Sequence, residues 1–156
     1  SILLASDGIE DPQNFGALLR VADAMGASGL ITTRRRASPT TLAVGKASAG
    51  ALEHVPIVRV TNLRRALGLA RDSGFWIIAA DSEGETSLYS PEVDRLWRDR
   101  VLLVLGSEGK GLRPVIRKTA DVVIRIPMQG RVESLNVTNA AAVILSSRAH
   151  SRNIGS

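Results

Sequence analysis

Continuous apolar runs of strand length are the feature that most constrains the fold of this 156-residue chain. Runs that do not alternate with polar residues are typical of parallel strands with both faces covered. Helical patterns lie between them, and several are soon followed by glycine. The predicted strands are residues 2–5, 29–32, 56–60, 75–80, 101–105 and 122–126, and the predicted helices are residues 15–25, 40–49, 62–73, 112–118 and 136–149. The alternation predicts a single α/β domain over residues 1–156, a parallel sheet between helical layers, with residues 82–99 as a surface excursion.

The residue types present exclude several kinds of chemistry. The chain has no cysteine and only two histidines, His54 and His150, which lie in unrelated segments without metal-ligand spacing. We therefore expect no metal site and no cysteine chemistry. No apolar run approaches the length of a membrane span, and the first residues read as a strand rather than a signal segment. These patterns predict a soluble protein with no membrane partner, located in the cytoplasm.

The charge balance favours a polyanionic partner. Lysine and arginine total 20 against 15 acidic residues, a formal net charge of +5. Such an excess attracts the phosphates of RNA or DNA, although the arginine bias of a GC-rich genome gives the same composition. The polar loop that contains Arg34, Arg35 and Arg36 is the candidate phosphate contact. The alternative interpretation is a solvated surface loop.

Three polar loops that contain glycine follow predicted strands, at residues 11–20, 105–112 and 126–137. Ligands of α/β proteins bind at the carboxyl ends of strands, so these loops predict one composite site. The glycine spacing of the second loop fits neither a dinucleotide-binding motif nor a phosphate-binding P-loop. Each loop also has a purely structural interpretation: glycine permits positive φ, Asn14 caps a helix that begins at Phe15, and Asn136 or Ser134 caps the last helix.

The motifs of these loops resemble those of a known family. D-P-x-N-x-G-A-x-x-R from Asp11, L-G-S-E-G-x-G from Leu105 and I-P-M-x-G-x-V-x-S-L-N-V from Ile126 are similar, in the same order, to the three motifs of the SpoU family. These are RNA ribose 2′-O-methyltransferases of the SPOUT superfamily, and residues 47–56 further resemble the branch that acts on 23S ribosomal RNA. The resemblance implies S-adenosyl-L-methionine-dependent methylation of a guanosine in large-subunit ribosomal RNA. The alternatives are a transfer-RNA methyltransferase and a noncatalytic RNA-binding protein.

The resemblance also implies a cofactor site and an assembly. The cofactor would be bound in a deep trefoil knot near the C-terminus, and the enzyme would be a homodimer with its first and last helices between subunits. An N-terminal RNA-binding domain, common in the ribosomal-RNA branch, is expected to be absent from this chain. The positions matching the family's cofactor-binding residues are Gly106, Ile126 and Leu135, with Leu105, Met128, Ser134 and Asn136 as neighbours.

The same resemblance nominates catalytic residues. Arg20 would accept the proton of the ribose hydroxyl, helped by Asn14, Glu108, Ser134 and Asn136. Because arginine normally stays protonated, orienting the ribose and its 3′-phosphate is the chemically easier role for Arg20. Arg131 adds a cation beside the site, and we expect it to contact RNA.

Overall fold

The computed structural model describes residues 1–9, 11–33, 54–106 and 111–154, and within them the strands form one seven-stranded sheet. The strand order is β3-β2-β1-β6-β4-β7-β5, and every neighbouring pair is parallel. The strands are β1 Ile2–Ser6, β2 Gly29–Thr33, β3 Ile57–Val60, β4 Trp76–Ala80, β5 Thr86–Ser87, β6 Val101–Leu105 and β7 Val122–Arg125. The helices are α1 Pro12–Ala24, α2 Leu63–Asp72, α3 Pro91–Leu96, α4 Pro114–Thr119 and α5 Val137–Ile154. The predicted parallel α/β fold is confirmed.

The sheet is covered on both faces, which explains why its strands read as continuous apolar runs. Along β6, Leu103 belongs to a core that includes Phe15 of α1 and Ile144 of α5. Its neighbour Leu102 belongs to a second core with Leu67 of α2. Since successive side chains of a strand point to opposite faces, each residue of β6 is buried in one core or the other.

Most predicted elements appear within a few residues of their predicted bounds. The six predicted strands and the helices predicted at residues 15–25, 62–73, 112–118 and 136–149 are all present. The helix predicted at residues 40–49 lies outside the described residues. No helix in the described part of the chain is both long and apolar enough to cross a bilayer.

The prediction of a surface excursion for residues 82–99 was wrong. This segment contains β5, which pairs with β7, and α3, where the Ser90 hydroxyl accepts a hydrogen bond from the Val93 amide at 3.3 Å. Val93 and Trp97 are fully or almost fully buried, so the segment contributes to the core on the α1 side of the sheet. The apolar residues of this segment are isolated among charged ones, so they form no recognisable strand or helix pattern. Ser90 followed by Pro91 and an acidic first turn is nevertheless a helix-start signal.

Candidate active site

A cavity of about 670 Å³ opens at the carboxyl ends of β4, β6 and β7, which are neighbours in the sheet. This volume lies in the range of roughly 300–1,000 Å³ that is typical of small-molecule and cofactor sites. Much of the lining is apolar, with polar groups from the loops around it. The lining residues are Asn14, Ala80, Asp81, Ser82, Glu83, Leu105, Gly106, Gly111, Leu112, Pro114, Arg117, Ile124, Ile126, Met128, Glu133, Ser134, Leu135, Asn136, Val137 and Ala140.

The cavity brings together every residue that the sequence nominated for cofactor binding. All of them line it: Leu105, Gly106, Ile126, Met128, Ser134, Leu135 and Asn136. They come from the ends of β6 and β7 and from the segment between β7 and α5. Their binding role stays a prediction, but the apolar floor and the polar rim suit a ligand with an aromatic base and charged substituents.

Gly106, at the end of β6, lies so close to the backbone of Gly111 that it has no room for a side chain. A Cβ on Gly106 would lie 2.4 Å from the carbonyl carbon of Gly111 and 2.7 Å from its oxygen. Gly111 itself has φ of +67°, in the left-handed region that favours glycine. Gly111 therefore has the positive φ predicted from the sequence, whereas Gly106 is needed for lack of space and does not have positive φ.

Asn14 lies at the cavity, but not as a helix cap. α1 begins at Pro12 because the Asp11 carboxylate accepts a hydrogen bond from the Gln13 amide at 2.8 Å. The prediction that Asn14 caps a helix beginning at Phe15 was therefore wrong. Asn14 is half-buried in the first turn of α1, and its backbone carbonyl accepts a hydrogen bond from the Thr138 hydroxyl at 3.3 Å. This contact joins α1 to α5 beside the cavity.

Asn136 has a structural role as well as a place at the cavity. Its Oδ1 accepts a hydrogen bond from the Asn139 amide at 2.9 Å, so Asn136 rather than Ser134 caps α5. Ser134 lines the cavity two residues earlier and is exposed. Any catalytic role of Asn136 therefore has to be separated experimentally from its effect on the helix.

Arg20 is not brought to the cavity of its own chain. It lies on α1, is exposed, and does not line the cavity, unlike Asn14 on the same helix. Six residues correspond to about 1.7 turns of helix, so the two side chains leave the axis roughly 120° apart. The motif spacing therefore directs Arg20 to a different face of α1 from Asn14.

The other nominated residues are not at the cavity or cannot be placed. Arg131 is exposed in the segment between β7 and α5 and does not line the cavity. Glu108 and the arginines Arg34, Arg35 and Arg36 lie outside the described residues. Across the described residues, no group of three His, Cys, Asp or Glu side chains is placed to hold a metal ion.

One wall of the cavity was not predicted from the sequence: the turn that follows β4. Asp81 and Glu83 line the cavity. The Arg117 guanidinium contacts the side chain of Asp81 and the backbone of Glu83. Its Nη1 lies 3.2 Å from the Asp81 carboxylate, and its Nη2 donates to the Glu83 carbonyl at 3.0 Å. The run Asp81-Ser82-Glu83-Gly84 at a strand end is itself a turn signal that could have drawn attention to this wall.

The same turn packs directly on β7. The Asp81 amide donates to the Ile124 carbonyl at 2.9 Å. A Cβ on Gly84 would lie 2.5 Å from the Ile124 carbonyl carbon, so the close approach requires glycine. Arg125 of β7 donates through Nη1 to the Gly84 carbonyl at 3.2 Å. The turn is thus fixed between α4 and β7.

A parallel α/β domain with a cofactor-sized cavity at adjacent strand ends belongs to the broad class of cofactor-binding α/β folds. Within that class the family is shown by sequence: residues 1–146 match the model of the SpoU rRNA Methylase family, and the chain belongs to that family.

Relatives of known sequence and structure agree with this assignment. A Staphylococcus aureus protein assigned to the TrmH family of tRNA/rRNA methyltransferases is 41% identical over 145 residues, which cover 93% of this chain and 57% of the relative. The SpoU methyltransferase AviRb of Streptomyces viridochromogenes, in complex with AdoMet, superimposes with a TM-score of 0.86 at 29% identity, covering 97% of this chain and 60% of AviRb. A structure concerned with 2-OH methylation of C/U34 on tRNA gives a TM-score of 0.83 at 27% identity, covering 97% of this chain and 96% of that one. The chain thus spans a little over half the length of the S. aureus relative.

Proposed function

We propose that this chain is the catalytic domain of an S-adenosyl-L-methionine-dependent RNA methyltransferase that acts on a ribose 2′-hydroxyl. A guanosine of large-subunit ribosomal RNA is the proposed substrate, and the cytoplasm is the proposed location. The observation that carries the proposal is the cavity, because the residues nominated by two separate family motifs line it together. The AdoMet complex of the related AviRb supports the choice of cofactor.

The cavity fits this cofactor chemically. Leu105, Ile126 and Leu135 provide an apolar surface for an adenine ring. Ser134 and Asn136 supply polar groups at the rim for the ribose and the amino-acid part. When bound, the cofactor supplies an electrophilic methyl group on a sulfonium.

The chain's own residues must place the attacking hydroxyl and receive its proton. In-line displacement depends on alignment, so groups that fix the ribose contribute directly to the rate. Asn14, Ser134 and Asn136 lie at the cavity where they can orient a ribose. We propose that Arg20 holds the ribose and its 3′-phosphate, since a guanidinium donates several hydrogen bonds and remains charged, and that an oxygen of this phosphate takes the proton of the hydroxyl.

A homodimer accounts for the position of Arg20. Arg20 does not line the cavity of its own chain, although it is exposed on α1. We propose that α1 and α5 lie at the subunit interface, which brings Arg20 to the cavity of the partner subunit. The proposed knot involves the loop after β6, part of which lies outside the described residues, so the knot stays a prediction.

A transfer-RNA substrate is the second candidate. The structural relative concerned with C/U34 of tRNA matches almost its whole length to this chain, which shows that a domain of this size occurs in a transfer-RNA context. A noncatalytic RNA-binding protein would need the cationic residues but not the cavity.

Transfer of labelled methyl from S-adenosylmethionine to RNA tests the proposal. The chain is incubated separately with unmodified 23S ribosomal RNA and with bulk unmodified transfer RNA, and each product is digested to nucleosides. We expect label in 2′-O-methylguanosine from the ribosomal RNA. Label only in transfer RNA would establish the second candidate, and label on a base would overturn the ribose assignment. Retention of RNA without any transfer would support the noncatalytic alternative.

A further inference from the structure

The described residues around the cavity carry an excess of negative charge. Three carboxylates line it, those of Asp81, Glu83 and Glu133, against the single guanidinium of Arg117. Arg117 is paired with Asp81 at 3.2 Å. Within the described residues, no salt bridge involves Glu83 or Glu133. After the Asp81–Arg117 pair is set aside, the negative charge of the described lining residues lies on Glu83 and Glu133.

The two glutamates belong to separate parts of the chain. Glu83 is held in the turn after β4, where its amide donates to Asp81 Oδ1 at 2.9 Å and its carbonyl accepts from Arg117. Glu133 lies in the segment that joins β7 to α5. The backbone around Glu83 is therefore fixed by bonds that do not use its carboxylate, and the side chain can be changed without removing them.

The proposed cofactor and its product differ in charge at the reacting atom. The sulfonium and ammonium of S-adenosylmethionine outweigh its carboxylate, which gives one net positive charge. Loss of the methyl group leaves a neutral thioether in S-adenosylhomocysteine, whose charges cancel. Fixed carboxylates at a concave site raise the local concentration of cations and have no such effect on a neutral ligand.

We propose that Glu83 and Glu133 make the cavity discriminate in favour of the cationic methyl donor and against its neutral demethylated product. This inference rests on the proposed function, and it goes further by assigning a specificity role to two residues outside the predicted catalytic and cofactor sets. The discrimination favours product release after each transfer, because the attraction to the ligand falls when the sulfonium is lost. Since both glutamates are exposed, each contributes a factor of about two to five to the preference.

Calorimetric titration of the whole chain tests the inference. The ligands are S-adenosylmethionine, S-adenosylhomocysteine and sinefungin, in which an amine-bearing carbon replaces the methylated sulfur. The variants are Glu83→Gln, Glu133→Gln and the double variant. The control is Glu92→Gln, which makes the same chemical change on the exposed first turn of α3, outside the cavity lining.

We expect the preference for S-adenosylmethionine over S-adenosylhomocysteine to fall about two- to fivefold in each single variant and further in the double variant. Binding of the product should stay constant, sinefungin should follow the cationic donor, and Glu92→Gln should match the wild type. Added salt should weaken donor binding more in the wild type than in the double variant.

Two results would overturn the inference while leaving the proposed function intact. One is an unchanged preference in the double variant, and the other is an equal loss of affinity for donor and product, which indicates only a damaged cavity. If the wild-type chain binds none of the three ligands, the proposed function and this inference both fail.

Discussion

Arg113 donates from Nε to Oδ2 of Asp7 across 2.8 Å, and this bond joins the end of β1 to the start of α4. Asp7 is almost fully buried, whereas the Arg113 side chain is 43% exposed. The hydrogen bond to Asp7 raises the pKa of Arg113 above its ordinary value, against the opposing effect of burial. The Asp7 amide also donates to the Leu105 carbonyl at 3.0 Å. Asp7 is therefore hydrogen-bonded to Leu105, which precedes the loop after β6, and to Arg113, which follows it.

The unequal burial of this pair predicts unequal costs of breaking it. Arg113→Ala leaves a buried carboxylate without its partner and should lower the free energy of unfolding by about 1–3 kcal/mol. Asp7→Asn leaves a neutral acceptor and returns Arg113 to water, so it should cost less. Urea denaturation measures both, with Arg64→Ala on exposed α2 surface as the control. An equal or larger cost for Asp7→Asn would contradict this account of the pair.

Gly84 should be irreplaceable for reasons of space. Gly84→Ala puts a methyl group 2.5 Å from the Ile124 carbonyl carbon and should cost about 1–3 kcal/mol while displacing the cavity wall. Gly68→Ala is the matched control, because no atom lies within 4 Å of its added methyl and alanine favours the helix by up to about 1 kcal/mol. Thermal denaturation should move the two variants in opposite directions. A neutral Gly84→Ala would show that the turn does not pack on β7 as described.

The two roles assigned to Asn136 can be separated by substitution. Asn136→Ala removes the cap of α5 and should cost about 1 kcal/mol, whereas Asn136→Ser keeps a hydroxyl acceptor for the Asn139 amide. If Asn136 also orients the ribose, both variants should lose methyl transfer although only the alanine variant loses stability. Full activity in Asn136→Ser would restrict the residue to its capping role.

Arg20→Ala should reduce RNA methylation by a factor of at least about 100 while S-adenosylmethionine still binds. The reason is that Arg20 does not line the cavity and is proposed to act on the ribose and its phosphate. Rates of methyl transfer and calorimetric binding are measured on the same preparation, beside Arg64→Ala. Parallel loss of both properties would instead assign Arg20 to the cofactor site or to the fold.

A mixture of two inactive variants tests the proposed assembly. If Arg20 serves the cavity of the partner subunit, a hybrid of Arg20→Ala and Leu135→Arg contains one complete site. Random mixing should then restore about a quarter of the wild-type activity. If each site is built within one chain, no hybrid has a complete site, and the mixture should stay inactive.

The sheet and the location of the loops at its edge could be read from local patterns, whereas the individual cavity residues were nominated by the resemblance of the loop motifs to the SpoU family. A strand buried on both faces is a continuous apolar run, and a loop at its carboxyl end faces the ligand region of an α/β fold. For the wall formed by Asp81 and Glu83, the sequence signals the turn but not its contact with Arg117, which is distant in sequence and meets these residues only through the strand order. No local pattern specifies that order.

The relation of Arg20 to the cavity could not be read from its motif, for a different reason. The first motif places Asn14 and Arg20 on one helix. The helical period separates them to different faces, and only Asn14 lines the cavity of the same chain. A motif thus nominates residues without showing which of them line the cavity of their own chain.

Calorimetric titration with S-adenosylmethionine of the wild-type chain, Leu135→Arg and Val132→Arg tests the central claim most directly. Leu135 lines the cavity, whereas Val132, three residues earlier in the same segment, is 67% exposed and does not. We predict saturable binding in the wild type and in Val132→Arg, and its loss in Leu135→Arg. Absence of binding in the wild type, or undiminished binding in Leu135→Arg, would contradict the assignment of this cavity as the cofactor site.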